Sequence, residues 1–286
     1  MSEHRLPDDT TLGAVELTVR DLDRSLRFYG EHLGLAEHRR DGGRAELGGA
    51  GGESFLRLVE NPMARPARRS TGLYHFAILV PTREDLANAL ARLERTRTPL
   101  QGASDHGVSE ALYLADPDDN GVEIYRDRPR EDWPRRDGRL EMRTDPLDLD
   151  DLFAALAGEG SSALPAGTRL GHVHLHVADI APALRFYSDL LGFELQQRYG
   201  AQAAFVSAGG YHHHVAFNTW NGVGAPPPPP GSTGLRLFEV RLPDGDTLAA
   251  IAARLRDAGV EIAQDASGLR LADPSGNGVL LLPRPA

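Results

Sequence analysis

Two stretches alternate apolar residues with small or polar ones at the period of a half-buried strand. They are Leu12-Gly13-Ala14-Val15-Glu16-Leu17-Thr18-Val19 and Leu170-Gly171-His172-Val173-His174-Leu175-His176-Val177. Each leads to an aspartate placed to cap a helix, Asp21 or Asp179, and then to an amphipathic stretch that ends at Gly34 or Gly192. A second pair of strand-like runs, Gly72 to Pro81 and Gly234 to Pro243, leads into Leu/Ala-rich helices. These are followed by the turns Asp116-Pro117…Asn120-Gly121 and Asp273-Pro274…Asn277-Gly278. The pattern predicts four copies of one strand–helix–strands unit, arranged as two related halves. The expected boundaries are 1–128 for the first half, 129–168 for a connector rich in charge and proline, and 169–286 for the second half. One helix is expected in the connector, near Leu149–Ala157. The run Pro226–Pro230 reads as a stiff, extended spacer between the third and fourth units, with a docking segment for proline-reading domains as the alternative.

Composition narrows the chemistry. The chain of 286 residues is 41% apolar and 25% charged, which suits a globular protein with room for two cores. A net charge of −10 argues against a nucleic-acid partner. No run approaches the ~20 apolar residues of a membrane span, and the first residues lack the apolar core of a signal peptide, so a cytoplasmic protein is expected. There are no cysteines. That excludes disulfides and thiolate chemistry and leaves His, Asp and Glu as metal ligands.

The densest chemistry lies between Asp105 and Glu123. A strand should end in Tyr113-Leu114-Ala115, the Asp-Pro…Asn-Gly segment should reverse it, and a second strand should begin at Val122-Glu123. A histidine, a tyrosine and a carboxylate would then face one cavity. Taken alone, His75 in its apolar strand reads as a hydrogen-bonded core residue, and Glu123 beside a turn reads as a surface carboxylate.

His106, a short spacer, an apolar residue with Tyr113, Asp116-Pro117, a glycine and Glu123 resemble the signature of the extradiol ring-cleavage dioxygenases. Asp119 departs from it, standing where that signature has Gly or Pro. The four repeated units resemble the vicinal oxygen chelate superfamily, which includes glyoxalase I and the bleomycin- and fosfomycin-resistance proteins. The strings Gly72-Leu-Tyr-His-Phe-Ala-Ile-Leu79 and Ser207-Ala-Gly-Gly-Tyr-His-His-His214 look most like bacterial two-domain catechol 2,3-dioxygenases of the Bacillus type. The resemblance implies an α+β fold of four βαβββ modules in two open, curved mixed sheets, with the metal in a hollow. It implies a catechol or substituted catechol and O2 as reactants and Fe(II) as cofactor, Mn(II) being compatible with the same donors.

The resemblance puts ligands on the first strand of each unit of a pair and near the last strand of one of them. Unit two carries His75 and Glu123, and unit three carries His172. Units one and four carry Ala14, Leu237 and Leu280, which bind nothing. If unit two pairs with unit three, His75, Glu123 and His172 can meet as a two-histidine, one-carboxylate set. His172, His174 and His176 share a strand face, and the family register selects His172. The segment Tyr211-His212-His213-His214 resembles one that supplies an acid–base histidine, which carries over to His213, with His212 adjacent. Strand alternation would set His213 on the face opposite His212 and His214. His106 and Tyr113 match residues that hydrogen-bond the substrate. A metal-dependent glyoxalase-type isomerase or transferase, and a drug-sequestering protein without catalysis, are the competing readings. Oligomeric state, including a homo-oligomer, is left open.

Overall fold

The computed structural model describes residues 4–158 and 160–284. Unit one consists of β1 (Thr11–Val19), α1 (Leu22–Arg27), β2 (Ala36–Asp41), β3 (Arg44–Gly48) and β4 (Ser54–Glu60). Unit two follows with β5 (Gly72–Leu79), α2 (Arg83–Arg95), β6 (Gly102–Asp105), β7 (Ser109–Ala115) and β8 (Gly121–Asp127). The connector holds three two-residue strands, β9 (Arg135–Arg136), β10 (Arg139–Leu140) and β11 (Asp145–Pro146), and the helix α3 (Leu149–Phe153). Unit three is β12 (Arg169–His176), α4 (Ile180–Leu184), β13 (Glu194–Tyr199), β14 (Ala203–Ser207) and β15 (Val215–Asn218). Unit four is β16 (Gly234–Leu242), α5 (Gly245–Asp257), β17 (Ala263–Asp265), β18 (Gly268–Ala272) and β19 (Gly278–Pro283).

The strands form two mixed sheets, each drawn from both halves of the chain. One runs β17-β18-β19-β16-β1-β4-β3-β2, and the other β11-β6-β7-β8-β5-β12-β15-β14-β13. Unit two therefore pairs with unit three through antiparallel β5 and β12, and unit one with unit four through β1 and β16. On the first strands, Val15 and Leu17 of β1, Phe76 and Ile78 of β5, Val173 and Leu175 of β12, and Phe238 and Val240 of β16 join one apolar core that includes residues of both sheets and the helices. Residues that alternate with them, such as His75 and His172, face a hollow.

The capping aspartates act as the pattern requires. Asp21 accepts from the Arg24 amide at 2.9 Å and Asp179 from the Ala181 amide at 2.8 Å. Both helices then widen into π-helical turns, Phe28–His32 and Arg185–Leu191. The bonds across these turns tie the units within each half. Tyr29 Oη donates to Asp116 at 2.7 Å, and Tyr187 Oη donates to Asp273 at 3.1 Å. Arg92 on α2 donates to the Leu33 carbonyl at 2.9 Å, and Arg254 on α5 to the Leu190 carbonyl at 2.6 Å. Each arginine thus satisfies a carbonyl at the end of the preceding unit's helix.

Two expectations need correction. The connector helix stops at Phe153 rather than near Ala157, because only Leu152 is buried along it and nothing rewards a longer run. The histidine triplet lies before β15, in irregular backbone, so strand alternation does not govern it. The rings of His212 and His213 meet instead, 4.7 Å apart. The proline run fills its expected place between units three and four, where the Thr71 amide donates to the Pro226 carbonyl at 2.9 Å.

Asp119 takes a left-handed φ of +65°, and its counterpart in unit four is Gly276 at φ +86°. The departure from the turn signature is thus a residue held in a glycine's conformation, one that Asp tolerates better than most. Two residues on, Gly121 has no such freedom to change, since a Cβ there would sit 2.0 Å from the Tyr74 carbonyl oxygen. Replacing Asp119 with Gly should leave stability unchanged or raise it by up to about 1 kcal/mol. Replacing Gly121 with Ala should cost about 3 kcal/mol, through overpacking against backbone. Urea unfolding of both variants measures the contrast.

Candidate metal centre and active site

Neighbouring strands β8, β5 and β12 bring the site together. Across parallel β5 and β8, His75 stands opposite Gly121; across β7 and β8, Tyr113 stands opposite Glu123. Across β5 and β12, His172 stands opposite Ala77, two residues along from His75 on the same face. The missing side chain at Gly121 lets β8 approach the Tyr74 carbonyl, next to His75, closely.

His75, Glu123 and His172 are all buried, and one ligand atom from each lies within 4.8 Å of the other two. Nε2 of both histidines lies 3.0 Å from the same carboxylate oxygen, Glu123 Oε2. His75 Nε2 is nevertheless out of hydrogen-bond alignment and without a partner, though shut off from solvent. A buried polar atom left so is costly, unless it donates its lone pair to something else. Burial pushes the His172 imidazole down to about 4, only partly opposed by Glu123, to which its Nε2 is hydrogen-bonded at 3.0 Å, so this ring is neutral near pH 7. Burial would raise Glu123, but the His172 and His75 imidazoles outweigh it and hold the carboxyl well below the usual carboxylate range. Two imidazoles and one carboxylate can chelate a divalent metal, and they leave coordination positions open.

His174 shares the face of His172 and lies against His75, with ring centres 5.0 Å apart, yet its nitrogen is engaged elsewhere. The Trp220 amide donates to Asn218 Oδ1 at 3.0 Å, which fixes the orientation of that side-chain amide. Asn218 Nδ2 therefore donates to His174 Nε2 at 2.9 Å, and His176 Nδ1 donates to Asn218 Oδ1 at 2.8 Å. Asn218, which sequence reasoning missed, thereby sets His174 and His176 apart from the chelating set. The polar end of the apolar run Val215-Ala216-Phe217-Asn218 was its only signal.

A cavity of about 450 Å³ opens over the three residues. Tyr74, Phe205 and Trp220 line one side, and Gln101, Ser104 and His106 are among the polar residues of its lining. Tyr113 also lines it. His106 Nδ1 donates to the Arg143 carbonyl at 2.7 Å, so its Nε2 accepts from Tyr113 Oη, also at 2.7 Å. Burial, with Glu123 nearby, pushes the Tyr113 phenol well above its ordinary value and keeps it protonated.

The histidine triplet divides by position. His213 lines the cavity and packs on His172, with ring centres 4.0 Å apart. Burial holds its imidazole well below the ordinary range, and the neighbouring His172 and His212 add to this. His212 is fully buried behind it and is not part of the cavity lining. His214 turns away, accepting from the Ala208 amide at 3.2 Å.

In the hollow of units one and four, the equivalent positions are Ala14, Leu237 and Leu280, all buried. A salt bridge between Arg57 and Glu239 occupies this hollow, and the Ala14 amide donates to Glu239 at 3.1 Å.

With this geometry established, comparison with known proteins places the chain. Residues 11–124 and 169–281 match the profile of the Glyoxalase/Bleomycin resistance protein/Dioxygenase superfamily. The chain belongs to that superfamily. It is 45% identical over 271 residues to a catechol-2,3-dioxygenase of Bacillus subtilis (strain 168), covering 93% of this chain and 95% of the relative. Among solved structures, it resembles a putative dioxygenase from Bacillus subtilis (TM-score 0.66, 13% identity, 99% of this chain and 87% of that one). It also resembles glyoxalase I from Zea mays (TM-score 0.60, 17% identity, 96% and 92%). At these identities the structures share the fold alone.

Metal titration should give one high-affinity divalent site per chain. His75→Ala should lose metal on dialysis, whereas His174→Ala should retain it, because His174 Nε2 is already engaged by Asn218. Metal content by atomic spectroscopy decides this, and loss from the His174 variant alone would show the register to be wrong.

Proposed function

We propose that this protein is an extradiol ring-cleaving dioxygenase that opens catechol or a substituted catechol with O2, using non-haem Fe(II) held by His75, Glu123 and His172. The buried two-histidine, one-carboxylate set carries this reading, and the 45% identity to a catechol-2,3-dioxygenase supports it. The unpartnered His75 Nε2 fits a metal ligand. His75, Glu123 and His172 would hold Fe(II), which would supply Lewis acidity and redox chemistry toward a catechol and dioxygen. Mn(II) fits the same donors.

The protein's own residues supply the rest. His213 is placed to take a hydroxyl proton from the substrate and to return it as the ring opens, the usual work of a positioned imidazole. Tyr113, whose O–H is donated to His106, offers its phenolic oxygen to a substrate hydroxyl as an acceptor. Tyr74, Phe205 and Trp220 enclose an aromatic ring and keep water from it.

The test is anaerobic reconstitution with Fe(II) or Mn(II), followed by catechol and oxygen. Uptake of one O2 per catechol with formation of the yellow muconic semialdehyde is expected, and metal-loaded protein that consumes no oxygen would overturn the reading. His213→Phe should keep its metal and slow turnover about 10²–10⁴-fold, the usual contribution of an acid–base group. Parent-rate turnover by that variant would remove His213 from the chemistry.

A further inference from the structure

Behind His213 lies a hydrogen-bonded chain that ends in a carboxylate. His213 Nδ1 and His212 Nδ1 are 2.8 Å apart, and His212 Nε2 is 2.9 Å from Asp127 Oδ1. Asp127 is the last residue of β8, on the strand face that also presents Glu123 and Tyr125. The order of protons along the chain follows from what each group can do. An ionised carboxylate only accepts, so His212 Nε2 carries a hydrogen. In neutral His212 the other nitrogen is then bare, and it accepts from His213 Nδ1–H. That leaves the lone pair of His213 on Nε2, the ring nitrogen with no protein partner among the described residues. Reversing the order would put a hydrogen on His213 Nε2 and remove the base from the cavity.

We propose that Asp127 is a positioning residue: acting through His212, it holds His213 in the tautomer whose Nε2 lone pair faces the cavity. This rests on His213 being the base of the reaction proposed above. Tyr211 Oη also donates to Asp127, at 3.0 and 3.2 Å to its two oxygens. In Asp127→Asn the Tyr211 hydroxyl would claim the amide oxygen and turn the amide nitrogen toward His212. That substitution reverses every donor along the chain while leaving its shape nearly intact, the logic by which amide replacement of an orienting aspartate inactivates a buried histidine base.

The experiment has two arms. In zinc-loaded, ¹⁵N-histidine-labelled protein, nitrogen NMR reads the tautomer without any turnover, and the signals missing in His213→Phe assign that ring. Wild-type His213 should show a bare Nε2 and a protonated Nδ1, exchanged in Asp127→Asn and lost as a fixed pattern in His212→Phe. Unchanged His213 tautomer in both variants would overturn the proposal, whatever the enzyme's activity. In the iron-loaded protein, Asp127→Asn should lower kcat about 10²–10⁴-fold, with iron content unchanged and KM moved far less. Added to His213→Phe, it should lower kcat no further. A full additional loss in that background would show that Asp127 acts elsewhere. If the wild type consumes no catechol, the catalytic reading fails, while the NMR arm still decides the tautomer.

Discussion

The antiparallel pairing of β5 with β12 is the constraint on which the site depends. His75 and Glu123 belong to one half of the chain and His172 to the other, so no half alone assembles the three donors. The seam is irregular: two residues of β12, Gly171 and His172, advance against one step of β5, from Ile78 to Ala77. Such a bulge re-aims the residues beside it. Glycine is required there, because a Cβ at Gly171 would lie 1.8 Å from Tyr125 Oη. That hydroxyl is bonded to Tyr211 Oη at 2.8 Å, and Tyr211 in turn bonds Asp127. The irregularity that places His172 is thus packed against the network that surrounds His212.

Strand β8 links the His75, Glu123 and His172 cluster to this network. Its alternate residues Glu123, Tyr125 and Asp127 follow one another along one face, and each does something different. Glu123 meets both His75 and His172, Tyr125 packs on His172 with ring centres 4.8 Å apart, and Asp127 anchors His212. A rigid strand spaces two carboxylates more accurately than a loop would. It also keeps the buried Glu123 carboxylate apart from that of part-exposed Asp127, with histidine and tyrosine groups between them.

Much of this was legible in the chain. The repeat predicted four units, and the distribution of His75, Glu123 and His172 against Ala14, Leu237 and Leu280 pointed to the pairing of unit two with unit three. Strand periodicity placed Tyr113 and Glu123 on adjacent strands, because the Asp-Pro…Asn-Gly turn fixes their register. Periodicity failed at His212–His214, where the backbone is irregular and no period applies. Asp127 and Asn218 were not singled out because each acts through a histidine distant in sequence, and such a bond leaves no local pattern. The short connector helix was overread because its composition suits a longer helix, whereas packing, which decides helix length here, is not visible in composition.

The internal repeat also separates scaffold from chemistry within a single chain. The ties that join units within a half occur twice in the same form: Tyr29 with Asp116 and Tyr187 with Asp273, Arg92 with Leu33 and Arg254 with Leu190. Both glycines after the Asn of the turns, Gly121 and Gly278, admit a neighbouring carbonyl within 2.2 Å of where a Cβ would stand. These positions answer to the fold, which is the same in both sheets. The hollow-facing positions do not repeat. One hollow holds His75, Glu123 and His172, whereas the other is closed by the Arg57–Glu239 pair over Ala14, Leu237 and Leu280. A buried carboxylate needs a partner in either setting. Arg57 supplies a fixed cation to Glu239, whereas the groups beside Glu123 are the imidazoles of His75 and His172, side chains that can themselves ligate a metal.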